Sequence, residues 1–160
     1  MISPELAQFL ESGVSVLVGT RDARREPACM RGVGARVAAN GAELTVFLPA
    51  ATAATALANL ADNGRIAVSF ARARDHRSVQ VKGRVLEVRD ADGADRERIE
   101  RYRRDLVEAL GVVGVSPRST LRLAHWPARA VRLRVEALFA QTPGPGAGAP
   151  LAGSAEGAGP

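Results

Sequence analysis

The sequence predicts a mostly antiparallel α+β barrel of six strands with flanking helices. Segments with an apolar residue at every second position recur along the chain, and segments with helical spacing lie between them. Hairpin signals, and not regular strand-helix-strand units, join the strands, which favours antiparallel pairing. With 160 residues, 46% of them hydrophobic, the chain is long enough for one domain with a core.

The first elements are a short helix and a strand. Ser3 is a good N-cap, Pro4 suits the first helical position, and Gly13 ends the helical spacing. The period then changes to two over Val14–Val18, which predicts the first strand.

A hairpin and a helix follow. Residues 28–39 are expected to form the second strand, and Asn40-Gly41 predicts a tight turn into a third strand over 43–48. The alanine-rich segment 52–62 is predicted to be a helix that Asn63-Gly64 ends.

The second half contains three strands and the clearest helix. Strands are expected over 66–70 and 77–88, and the helix runs from about Asp92 to Gly111 with apolar residues on one face. In the last strand, 129–139, five alternating residues are predicted to point inward: Val131, Leu133, Val135, Ala137 and Phe139.

The boundaries of the domain follow from composition. Residues 141–160 hold six of the 16 glycines and four of the nine prolines, so this segment is predicted to be a disordered tail on a domain of residues 1–140. No apolar run is long enough to span a bilayer, and nothing resembles a secretory signal. We therefore expect a cytoplasmic protein without a membrane partner.

The charge is basic, but its distribution argues against nucleic acid as partner. The net charge is +5 and the pI about 10.8, and 21 of the 22 basic residues are arginine, with Lys82 the only lysine. The arginines are dispersed, and only six aromatic residues could stack on bases. The two histidines and single cysteine make no zinc ligand set, and Cys29 is expected to be buried and inert.

The segment Arg77–Gly83 is the most informative part of the chain. On a strand, Ser78, Gln80 and Lys82 line one face, with Ser78 and Lys82 about 13 Å apart. A hydroxyl, an amide and an ammonium in a row suit an elongated ligand with a polar ring and an anionic end, although an ordinary solvated strand face has the same pattern.

The order of these segments resembles a known family. The series VSVLVGTRD, PACMRGVGARV, ELTVFLP, LADNG, RIAVSF and DHRSVQVKG is similar to the pyridoxamine 5′-phosphate oxidase-like family of FMN-binding split barrels. The resemblance covers approximately residues 5–90. It implies a six-stranded split β-barrel and a homodimer that binds FMN at the subunit interface. It also implies an FMN-dependent oxidoreductase acting on a small molecule.

The same resemblance implies which residues bind the cofactor. Arg77, Ser78, Gln80 and Lys82 fall on the strand that contacts FMN in the family, Arg36 resembles its phosphate-binding arginine, and Thr20 is a further candidate. No catalytic residue is identified. His76 is either a residue over the flavin or an ordinary loop residue. Trp126 either covers the flavin of the other subunit or anchors the packing.

Two departures from the family concern the substrate. No lysine or arginine lies between Val37 and Gly64, and the Arg/His segment that grips pyridoxal phosphate has no counterpart. Pyridoxamine phosphate itself is therefore not the expected substrate. The alternatives are a reductase that uses the deazaflavin cofactor F420, a non-catalytic barrel that carries or senses flavin or haem, and a barrel whose partner is a protein or nucleic acid.

Overall fold

The computed structural model describes residues 1–151. Within them lie four α-helices: α1 (Pro4–Leu10), α2 (Ala54–Asn63), α3 (Gly93–Gly111) and α4 (Pro117–Leu121). There are seven strands: β1 (Ser15–Arg21), β2 (Pro27–Arg31), β3 (Ala35–Val37), β4 (Glu43–Pro49), β5 (Arg65–Ala71), β6 (Ser78–Asp90) and β7 (Ala128–Ala140). None of these helices is both long and apolar enough to cross a membrane.

The strands form one antiparallel sheet in the order β2-β1-β5-β6-β7-β4-β3. Its two edge strands, β2 and β3, are consecutive in the chain. The amide of Gly32 donates to Val16 O on β1 (2.9 Å), and the amide of Val33 donates to Phe47 O on β4 (2.8 Å). The chain therefore passes from one edge of the sheet to the other, and the predicted split β-barrel of class α+β is confirmed.

The count of six strands was too low because the expected second strand is two strands. Gly32–Gly34 interrupts the predicted segment 28–39. Gly34 has φ +117, where side chains are strained, and a Cβ at Gly32 would lie 2.7 Å from Val16 Cγ1. These glycines allow the backbone to cross from edge strand β2 to edge strand β3 at a place where the barrel interior is tightly packed.

The core fills the interior between the sheet and the helices. Alternate residues of β1, β4, β5 and β6 point inward, and α3 contributes Ile99, Tyr102 and Leu106. Asp92 caps α3 through a capping box with Asp95, and Gly64 ends α2 in the left-handed conformation. Both ends are where the sequence predicted them.

The predicted alternation of β7 fails in its second half. Register shifts by one residue at Glu136, where Gly83 pairs with Val135 and Lys82 with Ala137. This β-bulge reverses the phase, so that Leu138 is buried while Ala137 and Phe139 point away from the core. The inward assignment of Ala137 and Phe139 was therefore wrong.

Residues 141–151 lie against β7. Beyond Arg134, β7 no longer pairs with β4, so one edge of its last residues is left without a strand partner. The returning chain bonds to that edge through Gly148 N to Ala140 O and Leu151 N to Leu138 O. The disordered tail predicted for residues 141–160 stays a prediction. Residues 152–160 lie outside the described residues.

Candidate functional site

The candidate site is built on the outer face of β6. Val79 and Val81 point into the core with 5% and 0% of their surface exposed, so Ser78, Gln80 and Lys82 face outward in one row. This is the arrangement that the alternation of the sequence predicted. We call Ser78, Gln80 and Lys82 the polar row.

Small residues surround Lys82 on the neighbouring strands. Lys82 lies opposite Ala67 of β5 and Ala137 of β7, and Ala67 lies opposite Gly19 of β1. Side chains directly opposite in adjacent strands share one face of the sheet. Gly19, Ala67 and Ala137 therefore form a shelf, as we name it, on which few atoms stand above the backbone.

Gln80 lies in a second line of side chains across the same face. It is opposite Ser69 of β5 and Phe139 of β7, and Ser69 is in turn opposite Leu17 of β1. Gln80 Nε2 donates to Ser69 Oγ at 3.3 Å, which orients the amide. Leu17 is 46% exposed, an apolar side chain beside polar groups. Arg31 of β2 completes this line opposite Leu17.

Lys82 is exposed and lies over an aromatic ring. Its Nζ atom is 4.8 Å from the centroid of Phe139. The β7 bulge makes this contact possible, because it turns Phe139 to the outer face. Within residues 1–151 the ammonium makes no hydrogen bond or ion pair, so its N–H donors can bind an anionic group.

Arg77 and Ser78 already contact other residues of the chain. Ser78 Oγ donates to His76 O (2.8 Å), and Ser78 N donates to Thr142 Oγ1 (3.0 Å). The Arg77 guanidinium lies 4.7 Å from the ring centroid of Phe9, with Nη2 3.7 Å from Glu5 Oε1. Both line a cavity of about 270 Å³ between the N-terminal residues, β6 and the returning chain. They therefore face this cavity at one end of the polar row.

Thr20 and Arg36 lie away from the polar row within one protomer. Thr20 is buried with 7% exposed, and its Oγ1 accepts from Asn59 Nδ2 at 3.0 Å, so its side chain is on the interior face. Arg36 lies on β3, opposite Thr45 of β4, three strands from β6. The structure does not bring these two predicted ligands together with Lys82.

His76 and Trp126 are also separated from Lys82. His76 has φ 58 in the turn between β5 and β6, and it is exposed. In that turn, Arg72 Nη2 lies 2.6 Å from Asp75 Oδ2, and this hydrogen-bonded pair lowers the pKa of Asp75 to about 2. Trp126 precedes the opposite end of β7 and stacks with Arg96, whose Cζ is 5.1 Å from the ring.

Cys29 differs from the sequence prediction. It is exposed on β2, opposite Gly19, so the expectation of a buried cysteine was wrong. The alternation of β2 places this side chain outward. A cavity of about 500 Å³ is lined by the turn before β1, the β5–β6 turn and α3, and includes no member of the polar row.

Sequence reasoning missed the shelf, Leu17, Ser69 and Phe139. These residues are neighbours of the polar row only because of the register in which the strands pair. The sequence of a single segment does not determine the register between distant strands. Alternation gave the outward direction of the polar row, but it assigned Ala137 and Phe139 of β7 to the wrong face, and it did not show which residues would be neighbours.

Comparison with solved structures identifies the architecture. An F420 reductase matches over 82% of this chain and 93% of its own, with TM-score 0.55 and 17% identity. A Lactobacillus delbrueckii protein whose name links it to pyridoxamine 5′-phosphate oxidase matches over 86% of this chain and 93% of its own, with TM-score 0.54 and 20% identity.

The chain has the split-barrel fold of the pyridoxamine 5′-phosphate oxidase-like proteins. An FMN-binding protein from Syntrophomonas wolfei shares this split-barrel fold over 84% of this chain and 85% of its own, with TM-score 0.51 and 13% identity. No protein-family model matches the sequence, and no curated protein matches it. The likeness is thus one of split-barrel fold.

Proposed function

We propose that this chain is an FMN-binding flavoprotein and an oxidoreductase that acts on a small molecule other than pyridoxamine phosphate. The observation that supports this most is the polar row beside the shelf on the outer face of the barrel. Split barrels of the same fold include an FMN-binding protein and an F420 reductase.

The residues on this face fit a flat, amphipathic ring with an anionic substituent. Gly19, Ala67 and Ala137 leave room for a planar group to approach the sheet. Gln80 offers hydrogen-bonding groups for a polar ring edge, and the remaining donors of Lys82 suit a negative charge. When bound, the flavin supplies hydride or electron transfer. The protein binds it, orients its ring and excludes water from one of its faces.

A homodimer with the cofactor between two copies is part of the proposal. The outer face beside the shelf is open, since Leu17 on it is 46% exposed, whereas bound ligands are usually 70–90% buried. A second copy would supply the missing wall. It would also offer a route by which Arg36, which is three strands from β6 in its own protomer, could approach a cofactor on the partner.

Two alternatives keep the same site. A deazaflavin, F420, could occupy it, since an F420 reductase shares the fold at TM-score 0.55. A non-catalytic barrel that carries or senses flavin or haem would also use a planar site without catalytic side chains.

The visible spectrum of the purified protein tests the proposal. We expect flavin absorption at close to one FMN per chain, and reduction of that flavin by an added electron donor. A protein that is colourless, takes up neither FMN nor F420, and keeps its Tm when either is added contradicts both redox versions. Flavin that binds but exchanges electrons with no donor or acceptor supports the carrier or sensor.

A further inference from the structure

Three arginines stand side by side on neighbouring strands of the outer face. Arg65 of β5 is directly opposite Arg84 of β6, and Arg84 is directly opposite Arg134 of β7. Adjacent strands are about 4.8 Å apart, so the three Cα atoms lie within about 10 Å. We call Arg65, Arg84 and Arg134 the arginine strip. It continues the outward face of β6 just beyond Lys82.

Like charges directly opposite one another destabilise a sheet, so this placement is unfavourable unless an anion neutralises it. Arg84 has partial compensation, since its Nε is 3.6 Å from Glu136 Oε1 and its Nη1 donates to Asn63 O at 3.5 Å. The guanidinium groups of Arg65 and Arg134 make no ion pair or hydrogen bond within residues 1–151, although the backbone amide of Arg65 donates to Asn63 Oδ1 at 3.0 Å. Arg134 also has Glu43 opposite it on β4, but Glu43 is 2.9 Å from Arg132.

Two other arginines of the same sheet, Arg132 and Arg129, lie close to carboxylates. Arg132 lies between two carboxylates, with contacts of 2.9 Å to Glu43 and 3.1 Å to Glu87. Arg129 is opposite Asp90, 3.3 Å away. Arg132 and Arg129 each have a carboxylate on a neighbouring strand within 3.3 Å, whereas in the arginine strip only Arg84 contacts one, at 3.6 Å.

We propose that the arginine strip binds the phosphate group of a small phosphorylated ligand. Planar guanidinium groups hold phosphate oxygens in paired hydrogen bonds, and three of them within about 10 Å match one or two phosphates. The strip is bounded by Glu43 and Glu136, so it does not extend into the long basic track that a nucleic acid strand would follow. The inference goes beyond the proposed function, because it requires no flavin.

The test uses inorganic pyrophosphate as the probe and the full chain with Arg65→Gln and Arg134→Gln combined. Binding is measured by calorimetry and by Tm, with ionic strength held constant by chloride. We expect pyrophosphate to raise the Tm of the wild type, and the double variant to bind it at least about tenfold more weakly. Without pyrophosphate, the variant should melt at a higher temperature than the wild type, because repulsion is relieved.

Two further variants control for folding and for net charge. Arg101→Gln with Arg104→Gln removes the same charge from exposed positions on α3 and should leave pyrophosphate binding unchanged. Arg65→Lys with Arg134→Lys keeps the charge without the planar fork and should bind with intermediate affinity. The proposal is overturned if pyrophosphate acts no differently from chloride, or if the α3 variant loses as much affinity as the strip variant.

FMN and riboflavin distinguish the sources of the phosphate. If the strip variant binds FMN more weakly but riboflavin equally well, the phosphate belongs to the flavin. If pyrophosphate binds the FMN-loaded protein as tightly as the flavin-free protein, the ligand of the strip is a molecule other than the flavin. Either result supports phosphate binding by the strip. Pyrophosphate binding by a protein that takes up no flavin refutes the proposed function alone. A small-ligand site is contradicted if a single-stranded oligonucleotide binds much more tightly than pyrophosphate and binds the strip variant and the α3 glutamine variant equally well.

Discussion

Lys82 Nζ lies 4.8 Å from the centre of the Phe139 ring, on a face where the nearest cross-strand neighbours of Lys82 are alanines. The lysine is therefore supported by an aromatic surface on one side and open on the other. A compact ammonium held in this way can reach an anionic group on a ligand that lies on the shelf.

Replacing Lys82 should weaken FMN binding without unfolding the protein. We expect Lys82→Ala to raise the Kd for FMN about tenfold, because one charge-assisted hydrogen bond is lost. Lys82→Arg should be intermediate, since a planar guanidinium does not replace a compact ammonium at the same place. Titration of the flavin-free protein by fluorescence measures both. Arg101→Ala on α3 serves as the control, and an equal loss of affinity there would assign the effect to net charge.

Leu17 should control both dimerisation and retention of the cofactor. A charged side chain at this exposed apolar position would be buried without a partner if two copies meet there. We expect Leu17→Arg to be a monomer in analytical ultracentrifugation and to lose bound flavin. Leu121→Arg, at an apolar position 50% exposed on α4, should remain a dimer. A monomeric wild type that retains flavin would refute the interface.

Thr20 should matter for stability and not for the cofactor. Thr20→Val removes the acceptor of the Asn59 amide, which is 7% exposed, and leaves a buried donor without its partner. We expect a loss of about 1–3 kcal/mol in the free energy of unfolding by urea, with FMN affinity unchanged. Thr20→Ser keeps the hydroxyl and should recover most of the hydrogen-bond energy. A large change in FMN affinity in Thr20→Val would instead support the prediction that Thr20 is a cofactor ligand.

Tyr102 should give the protein an alkaline limit of stability. Its hydroxyl donates to Val14 O at 2.9 Å, and burial raises its pKa to about 12. The folded state therefore keeps the proton that the unfolded state loses near pH 10, so stability is complete below about pH 10 and falls as the pH rises toward 12.

The ionisation of Tyr102 can be followed directly, because it is the only tyrosine in the chain. Ultraviolet absorbance of tyrosinate should appear at about pH 12 in folded protein and near pH 10 in urea. Tyr102→Phe should lower the free energy of unfolding at neutral pH by about 1 kcal/mol. Above pH 10, the stability of this variant should fall less steeply than that of the wild type. Titration of the folded protein near pH 10 would mean that the phenol is not buried as described.

Local sequence patterns by themselves determined most of the elements and the outward direction of the polar row. Alternation, caps and turn residues act within a few positions, so Asp92, Gly64 and the Asn40-Gly41 hairpin were predicted without tertiary information. The tertiary structure decided what those patterns do not contain. The edge change at Gly32–Gly34 depends on close packing against Val16 and on backbone hydrogen bonds to Phe47. The bulge at Glu136 turned Phe139 to the outer face through its pairing with β6.

The same distinction applies to the candidate site. Ser78, Gln80 and Lys82 lie on one strand, and their period of two places them together wherever that strand packs. The shelf, Leu17 and the arginine strip each join residues of several strands, and only the register of the folded sheet makes them neighbours. Register depends on hydrogen bonding and burial summed over the whole barrel, which is why it belongs to the tertiary structure and not to any segment of the sequence.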